Sequence, residues 1–452
     1  MKKIILKFVT SIVGAWIGCC GGLQNVQAGG FAIREQSVSA LGSAFAGVAV
    51  GSDISSMFWN PAAVANTDGT NMESHVFGAV FENKMTATES QLAGTVDLLA
   101  SPNITSESGE YSDPALVAAS YANYQLTHID PNLYMGIGIN SPFGLVTKPD
   151  NLGGSDPQWA GAFLGTTSKV FTLNFNPTVA YKVRPNLTIG AGLQVQYMDA
   201  KLKFATLDIP TLSAAPNATL KGDDIEAGFT AGILWEPTKK TKVGFGFRSS
   251  IAHKLDGTFE VPESARVAGS NIEQASIDFE TPELFTVSLR HAVTPKFSVM
   301  STFEYSNWSR LDQLVVEFEN VNNVGTPVVL DFGWDDGWLV SGGVEYIYNS
   351  ELTLRAGGGF ERSPVQDATQ RALQVPDADR IWLSVGATYK YDEKTTLDFA
   401  YTHVFVEDGD IEREAAIAPI TVVGESEAAA DIIGLSFKRK LGGIADALPA
   451  LK

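Results

Sequence analysis

The sequence predicts an all-β protein, a 14-stranded antiparallel transmembrane β-barrel with an N-terminal hatch (plug) inside the lumen. Three observations predict this fold. Apolar and polar residues alternate with period two after residue 75. Short turns and long polar connections alternate strictly between these segments. Residues 29–74 precede the first segment and lack the alternation.

The first 28 residues have the pattern of a secretory signal peptide. Three lysines precede the apolar run "FVTSIVGAWI", and "VQA" forms a small-residue cleavage site at residues 26–28. The run is too short for a membrane helix, which takes about 20 apolar residues. Lipoprotein cleavage before Cys19 is the alternative, although Trp16 is unusual in that motif. We therefore expect the mature chain to begin at Gly29.

Charge and cysteine content narrow the class of protein. Both cysteines and three of the 32 basic residues lie in the signal, which has no acidic residue. The mature chain then has 29 basic and 51 acidic residues, a net charge of −22, and no disulfide. This balance argues against nucleic acid as a partner.

Fourteen segments carry the alternation typical of strands with one apolar face. In "NLTIGAGLQVQYMD" (186–199), for example, Leu187, Ile189 and Leu193 alternate with polar residues or glycine. The predicted strands are 75–87, 113–126, 132–140, 169–183, 187–204, 224–235, 242–261, 273–292, 297–318, 328–347, 352–361, 380–390, 396–405 and 429–440.

The connections between these segments favour a membrane barrel over a large secreted β-sandwich. Six turns are short, such as "RPN" and "YNSE". Seven connections are long, namely 88–112, 141–168, 205–223, 262–272, 319–327, 362–379 and 406–428. An even number of strands with short turns on one side and long loops on the other is typical of outer-membrane barrels. A sandwich also alternates but does not require this regularity. The barrel then occupies residues 75–440, followed by a short tail, 441–452.

A barrel of this size has a lumen wide enough to conduct water unless something fills it. Residues 29–74 are rich in small residues, which allow close backbone approach. In "FWNPAAVA" (58–65), Asn60 can cap a short helix that begins at Pro61 and continues through Ala62. We therefore expect residues 29–74 to form a compact plug.

The chain resembles the FadL family of outer-membrane transporters of long-chain fatty acids and other hydrophobic compounds. The resemblance covers nearly the whole mature chain. It lies in blocks that occur in the family's order: "GGFAIREQSVSALGSAFAG" with "NPAAVA", "MGIGINSPFGL", "NPTVAYKVRPNLTIGAGLQVQY", "LKGDD", "EYSNWSRLDQL" and "PDADRIWLSVGATYKYDEKTTLDFAYTHVFV".

The resemblance implies a monomer in the outer membrane of a Gram-negative bacterium, in contact with outer-membrane lipid and inserted by the barrel assembly machinery. It implies passive, ligand-gated uptake without a cofactor. The cargo is captured among the outer loops, moves to an inner pocket and leaves sideways through a kink in the third strand. Long-chain fatty acids are the expected cargo. Importers of aromatic or alkane hydrocarbons, or a general porin, are the alternatives.

Several residues fit parts of this route. Pro142 lacks a ladder N–H and lies near Gly136, Gly138 and Gly144, a cluster that favours interrupted pairing, although a strand that simply ends at a turn is the alternative. Apolar residues in predicted outer loops indicate a capture surface or loop packing. These are Trp159, Phe163 and Leu164 in one loop and Leu207, Ile209 and Leu212 in another.

The inner pocket is assigned mainly by resemblance. Phe31, with Asn60, Pro61 and Ala62, is expected to contact or gate the ligand. A fatty carboxylate also requires a cation. Lys201 and Arg380 are the candidates, although Arg380 can instead pair with Asp377 or Asp379.

Signatures of catalysis and metal binding are absent from the sequence. The five histidines are scattered, and no G-x-S-x-G or H-E-x-x-H motif occurs. The acidic stretch 406–414 can attract Ca²⁺ but fits a solvated outer loop better. The sequence therefore predicts no enzyme and no metal site.

Overall fold

The fold is a closed barrel, seen here in a computed structural model. The structure describes residues 30–108, 114–148, 158–208, 213–262, 272–319, 328–373, 375–416 and 418–441. Among these residues, no helix is long and apolar enough to cross a membrane.

Fourteen antiparallel strands form the barrel wall, and six of them are interrupted by a short break. The strands are β1 (Thr70–Leu92), β2 (Ala115–Gln125), β3 (Leu133–Asn140 and Gly144–Thr147), β4 (Thr167–Arg184), β5 (Leu187–Asp208), β6 (Ser213–Thr238), β7 (Thr241–Arg248 and Ala252–Glu260), β8 (Ile272–Glu280 and Leu284–Ala292), β9 (Phe297–Ser306 and Gln313–Phe318), β10 (Val328–Asp331 and Gly337–Ile347), β11 (Leu352–Arg362), β12 (Arg380–Lys390), β13 (Thr395–Val406 and Gly409–Glu414) and β14 (Ile420–Lys440). Short strands at Val96–Asp97, Ile104–Thr105 and Gln158–Trp159 lie in the outer connections.

Each strand pairs with its neighbours in sequence, and the last strand pairs with the first. The β1–β14 ladder runs from Asn71 opposite Lys440 to Leu92 opposite Ile420. The sheet is thereby closed on itself, which is the condition for a sheet to span a membrane. The predicted strand number and antiparallel order are confirmed.

The outer wall carries an apolar belt, because every second residue of each strand points outward. On β5, Ile189, Leu193 and Val195 are 46%, 60% and 41% exposed. The intervening Gln194 and Gln196 are buried towards the interior. Polar residues inside and apolar residues outside are the arrangement of a barrel surrounded by lipid.

Several predicted long connections are shorter than the sequence indicated, whereas 319–327 and 362–379 agree with the strand bounds. Residues 205–223 were predicted as a loop, but β5 continues to Asp208 and β6 begins at Ser213. Within 406–428, Gly409–Glu414 pairs with β14, which begins at Ile420. On these extensions only isolated apolar residues, such as Leu220 and Ile411, point inward among small and polar residues, so the period-two signal is weak although the hydrogen-bonded ladder continues.

Residues 30–69, here called the inner segment, pack against the inner faces of the wall strands. They form one α-helix, α1 (Val38–Leu41), and three 3₁₀-helices, Val48–Val50, Ile54–Phe58 and Pro61–Ala65. Helix α1 contacts β12–β14, Val48–Val50 contacts β7 and β8, and Pro61–Ala65 contacts β3–β6. Most side chains of the segment are buried. The first strand begins at Thr70, slightly before the predicted position.

Candidate functional site

Phe31 lies at the centre of a buried group of aromatic rings, here called the aromatic cluster. Its ring centroid is 4.7 Å from that of Trp308, 5.6 Å from Phe279 and 5.9 Å from Phe143. Trp334 and Phe332 complete the cluster. Gly30 adopts a left-handed φ of +66°, and a Cβ there would stand 2.9 Å from both tryptophan rings. A side chain at residue 30 would therefore displace Phe31 or the tryptophans.

An ion pair fixes the start of the inner segment beside this cluster. The Gly30 N–H donates to Asp377 Oδ2 at 2.7 Å. The same carboxylate accepts from Ser363 Oγ at 2.6 Å and pairs with Arg380 at the start of β12. Arg380 and Asp377 are both buried. The structure thus brings together Phe31 and Arg380, which the sequence analysis selected separately, and it contains the expected alternative pairing of Arg380 with Asp377.

The third strand is interrupted where it meets the inner segment. Its break spans Ser141–Phe143, after which Gly144–Thr147 pairs again with β4. At the break, Ile33 N–H donates to the Pro142 carbonyl at 2.8 Å, and Gly144 N–H donates to the Phe31 carbonyl at 2.9 Å. The described pairing between β2 and β3 ends at Ser120 opposite Ile139. Residues next to Phe31 therefore take the place of a neighbouring strand at this point.

Two glycines of β3 allow close contact with the inner segment. A Cβ at Gly144 would stand 2.7 Å from Ile33 Cδ1, and a Cβ at Gly136 would collide with Val64 Cγ2. Gly138 lies against the ring of Tyr121 instead. The absence of a side chain at Gly136 and Gly144 thus leaves room for Val64 and Ile33 of the inner segment against β3.

Asn60 anchors the other end of the inner segment, as the sequence predicted for a helix cap. Its Oδ1 accepts from Ala62 N–H at 3.0 Å, and Pro61 begins the 3₁₀-helix. Its Nδ2 donates to the Ala49 carbonyl at 2.7 Å and to the Ile233 carbonyl of β6 at 3.0 Å. One side chain therefore caps a helix, holds a turn and attaches both to the wall.

Sequence reasoning missed a charged network around Arg34. Arg34 Nε donates to Glu361 Oε1 at 2.9 Å, and its Nη1 pairs with Glu304. Burial lowers the pKa of Arg34, but Glu361 and Glu304 raise it more, so the guanidinium stays charged. The only sequence feature that indicates this network is the pair of adjacent charged residues, Arg34 and Glu35, in a segment of small residues.

Glu35 has no such partner. Neither of its carboxyl oxygens has a hydrogen bond within the described chain, and the residue is fully buried. Burial raises the pKa of Glu35 to about 8, although Arg34 opposes the shift. The carboxyl is therefore protonated at neutral pH.

The predicted capture loop is packed rather than open. Trp159 and Phe163 are 1% and 0% exposed, because the connection folds back and buries both rings against the outer ends of β1, β5 and β14. Leu164 instead lines an outer cavity of about 450 Å³. This cavity is further lined by Phe332, Leu373 and Arg413. Leu207 has no described side chain, and Ile209 and Leu212 lie outside the described residues.

Phe332 joins the outer cavity to the aromatic cluster, since its ring lines the cavity and stands edge-on to Trp334 at 5.5 Å.

The side chain of Lys201, which the sequence analysis assigned to the inner pocket, does not point into the lumen. Its neighbours Leu202 and Phe204 pack inward, so Lys201 projects from the outer wall. Its assignment to an inner pocket is therefore not supported.

The arrangement suits binding and passage rather than catalysis. Apolar rings, the buried Asp377–Arg380 pair and the break in the third strand all lie next to residues 30–33. In the described ranges, no group of His, Cys, Asp and Glu residues can hold a metal ion. These features define an outer-membrane β-barrel whose lumen is filled by its own N-terminal segment.

Comparison with known proteins identifies the family. The family model described as "Outer membrane protein transport protein (OMPP1/FadL/TodX)" matches residues 22–441, so the chain belongs to this family. A long-chain fatty acid transport protein of Escherichia coli is 26% identical, covering 83% of this chain and 86% of the relative. A putative outer membrane protein of Neisseria meningitidis is also 26% identical, covering 97% and 98%.

Solved structures show the same fold. The crystal structure of a Pseudomonas aeruginosa FadL homologue superposes with a TM-score of 0.80 at 20% identity, covering 91% of this chain and 99% of that chain. The Ralstonia pickettii toluene transporter TbuX gives 0.60 at 16% identity, covering 88% and 97%. The protein is thus a transport channel for hydrophobic compounds in the outer membrane, and not an enzyme.

Proposed function

We propose that this protein takes up long-chain fatty acids through ligand gating of the inner segment. Relatives named as long-chain fatty acid transport proteins, at 24–26% identity, support this cargo. The pairing of an apolar cluster with a buried arginine supports it chemically. The observation that carries the proposal is the shared Asp377, which holds both Gly30 and Arg380.

The fatty carboxylate competes with Asp377 for Arg380. A carboxylate that forms charge-assisted hydrogen bonds with the guanidinium offsets the loss of the original pair. The acyl chain needs apolar space, which the aromatic cluster provides when Phe31 leaves it. Asp377 also holds Gly30, so exchange at Arg380 weakens the tether of the residue before Phe31. Binding of the carboxylate at Arg380 and release of the start of the inner segment are then coupled.

Departure of Phe31 also frees the third strand. The Phe31 carbonyl and Ile33 N–H are the partners of Gly144 and Pro142 at the break. When these hydrogen bonds open, the edge between β2 and β3 loses its cover, and an apolar molecule can pass sideways into the bilayer. In this proposal, Gly136 and Gly144 allow the contact, while Pro142 keeps the strand broken.

A comparison of oleate with oleyl alcohol tests the role of the carboxylate. We expect Arg380→Gln to weaken oleate binding to purified protein about tenfold, since one charge-assisted hydrogen bond is lost. Binding of oleyl alcohol should not change. Arg355→Gln, which removes a half-buried arginine paired with Glu345 elsewhere in the wall, is the matched control. Equal loss for both ligands would refute a carboxylate site at Arg380.

The aromatic cluster also favours a second cargo class, the aromatic or alkane hydrocarbons. Four rings contact Phe31, and none of them requires a charged ligand. Tighter binding of toluene or hexadecane than of oleate, together with unchanged uptake in Arg380→Gln, would select this alternative. A general porin requires an open lumen, and liposome swelling by small sugars tests it. The filled lumen predicts no swelling.

A further inference from the structure

Three lysines form a row across adjacent strands. Lys201 of β5 lies opposite Lys169 of β4 and Lys221 of β6 in the hydrogen-bonded register. Leu202, which follows Lys201, and Leu220, which precedes Lys221, both pack towards the interior. The three lysines, here called the lysine row, therefore project from the outer wall of the barrel.

The lysine row lies just above the apolar belt. The last apolar row on these strands is Leu173, Tyr197 and Ile225, which are paired with one another. One step further towards the long connections lie Asp199 and Asp223, with Phe171 of β4 opposite Asp199, and the lysine row follows. Two residues advance a tilted strand by about 5 Å along the membrane normal. The ammonium groups therefore reach the headgroup level of the outer leaflet, about 10 Å beyond the belt.

The charge of this patch contrasts with the rest of the protein. The chain carries a net charge of −19, and like charges directly opposite in a sheet are destabilising. Within the described chain, none of the three ammonium groups forms an ion pair within 4.0 Å. Lys203, one row further out on β5, adds a fourth positive charge to the same face. An anionic partner outside the chain would remove this repulsion.

We propose that the lysine row binds the phosphate groups of a phosphorylated glycolipid of the outer leaflet, namely the lipid A part of lipopolysaccharide. The lysines donate charge-assisted hydrogen bonds to phosphate oxygens. The acyl chains of the same molecule lie along the apolar belt, against residues such as Ile225, which is 63% exposed. Position and charge thus match one amphipathic molecule, phosphate above and hydrocarbon below. The site is on the outside of the barrel and is separate from the cargo route.

Native mass spectrometry of the purified protein in EDTA-treated detergent tests this site. The probes are bisphosphorylated lipid A and the same lipid with both phosphates removed. We expect Lys169→Gln/Lys201→Gln/Lys221→Gln to bind bisphosphorylated lipid A about tenfold more weakly than the wild type. The matched control is Lys239→Gln/Lys240→Gln/Lys390→Gln, which removes three exposed lysines at the short turns and should bind normally. The dephosphorylated lipid should bind all three proteins equally weakly.

Three results would overturn the assignment. They are unchanged affinity in the row variant, equal affinity for the dephosphorylated lipid, and equally tight binding of phosphatidylglycerol. A gel-shift assay of the heat-resistant barrel shows whether each variant is folded. If the triple variant does not fold, the single variant Lys201→Gln replaces it, with an expected loss of about threefold that disappears at high salt. A single variant that binds like the wild type would equally refute the site.

Discussion

Replacement of Asn60 tests whether its side chain holds the inner segment in the lumen. In Asn60→Ala, Ala62 N–H loses its cap, and the Ala49 carbonyl loses the donor 2.7 Å away. A lost cap costs about 1 kcal/mol, and a buried carbonyl left without a partner costs roughly 2 kcal/mol. The inner segment should therefore open about 3 kcal/mol more easily, while the barrel remains intact.

Hydrogen exchange measured by mass spectrometry provides the assay. A change of about 3 kcal/mol corresponds to roughly a hundredfold lower protection for amides in Pro61–Ala65, if they exchange by local opening. Asn60→Ser keeps a capping oxygen but loses the donors, so its protection should lie between those of the wild type and the alanine variant. Asn349→Ala, in the exposed turn between β10 and β11, is the control for loss of an asparagine. Protection within threefold of the wild type in Asn60→Ala would refute the anchoring role.

Three further predictions concern the start of the inner segment. The pKa of Glu35 is about 8 in the folded segment against an ordinary 4.5, so the segment loses stability as pH rises between these two values; wild-type protection should fall between about pH 4.5 and 8 and level off above, and that of Glu35→Gln should not fall. Identical profiles would contradict this. Gly144→Val should displace Ile33 at a cost of about 1–3 kcal/mol and slow oleate uptake, and normal uptake would argue against lateral release. Phe31→Ala should leave a cavity at the centre of the aromatic cluster and so red-shift the fluorescence of Trp308. An unchanged spectrum would contradict this position of Phe31.

The barrel was predictable because its rule is local. Each membrane-spanning segment alternates side chains between lipid and lumen, and this alternation is visible over ten residues of sequence. The outer extensions were not predictable, since beyond the belt the outward face is polar and the inward face mixes isolated apolar residues, such as Leu220 and Ile411, with small or polar ones. The same local rule also placed Lys201 on the outer wall, because the inward positions of "DAKLKF" are Ala200, Leu202 and Phe204. The assignment of Lys201 to the inner pocket relied on its charge and not on its position in the strand.

The candidate site was only partly predictable, because its contacts join distant parts of the chain. Phe31 was selected, but Trp308 and Trp334, its partners, carry no pattern in the sequence that distinguishes them from belt aromatics. Likewise, the acids that pair with Arg34 lie 270 and 327 residues away. Such pairs form only when the barrel closes, and no single segment encodes them.

The two ends of the inner segment are held differently, and this difference indicates which end moves. At Asn60, one side chain makes three hydrogen bonds to the segment and the wall, and none of them has a partner that a fatty acid can replace. At Gly30, the tether is a carboxylate already shared with Arg380. In the proposed mechanism, a ligand carboxylate competes for that guanidinium directly. We therefore propose that the Asn60 turn is the fixed point and that the residues from Gly30 to Ile33 are the part that ligand binding displaces.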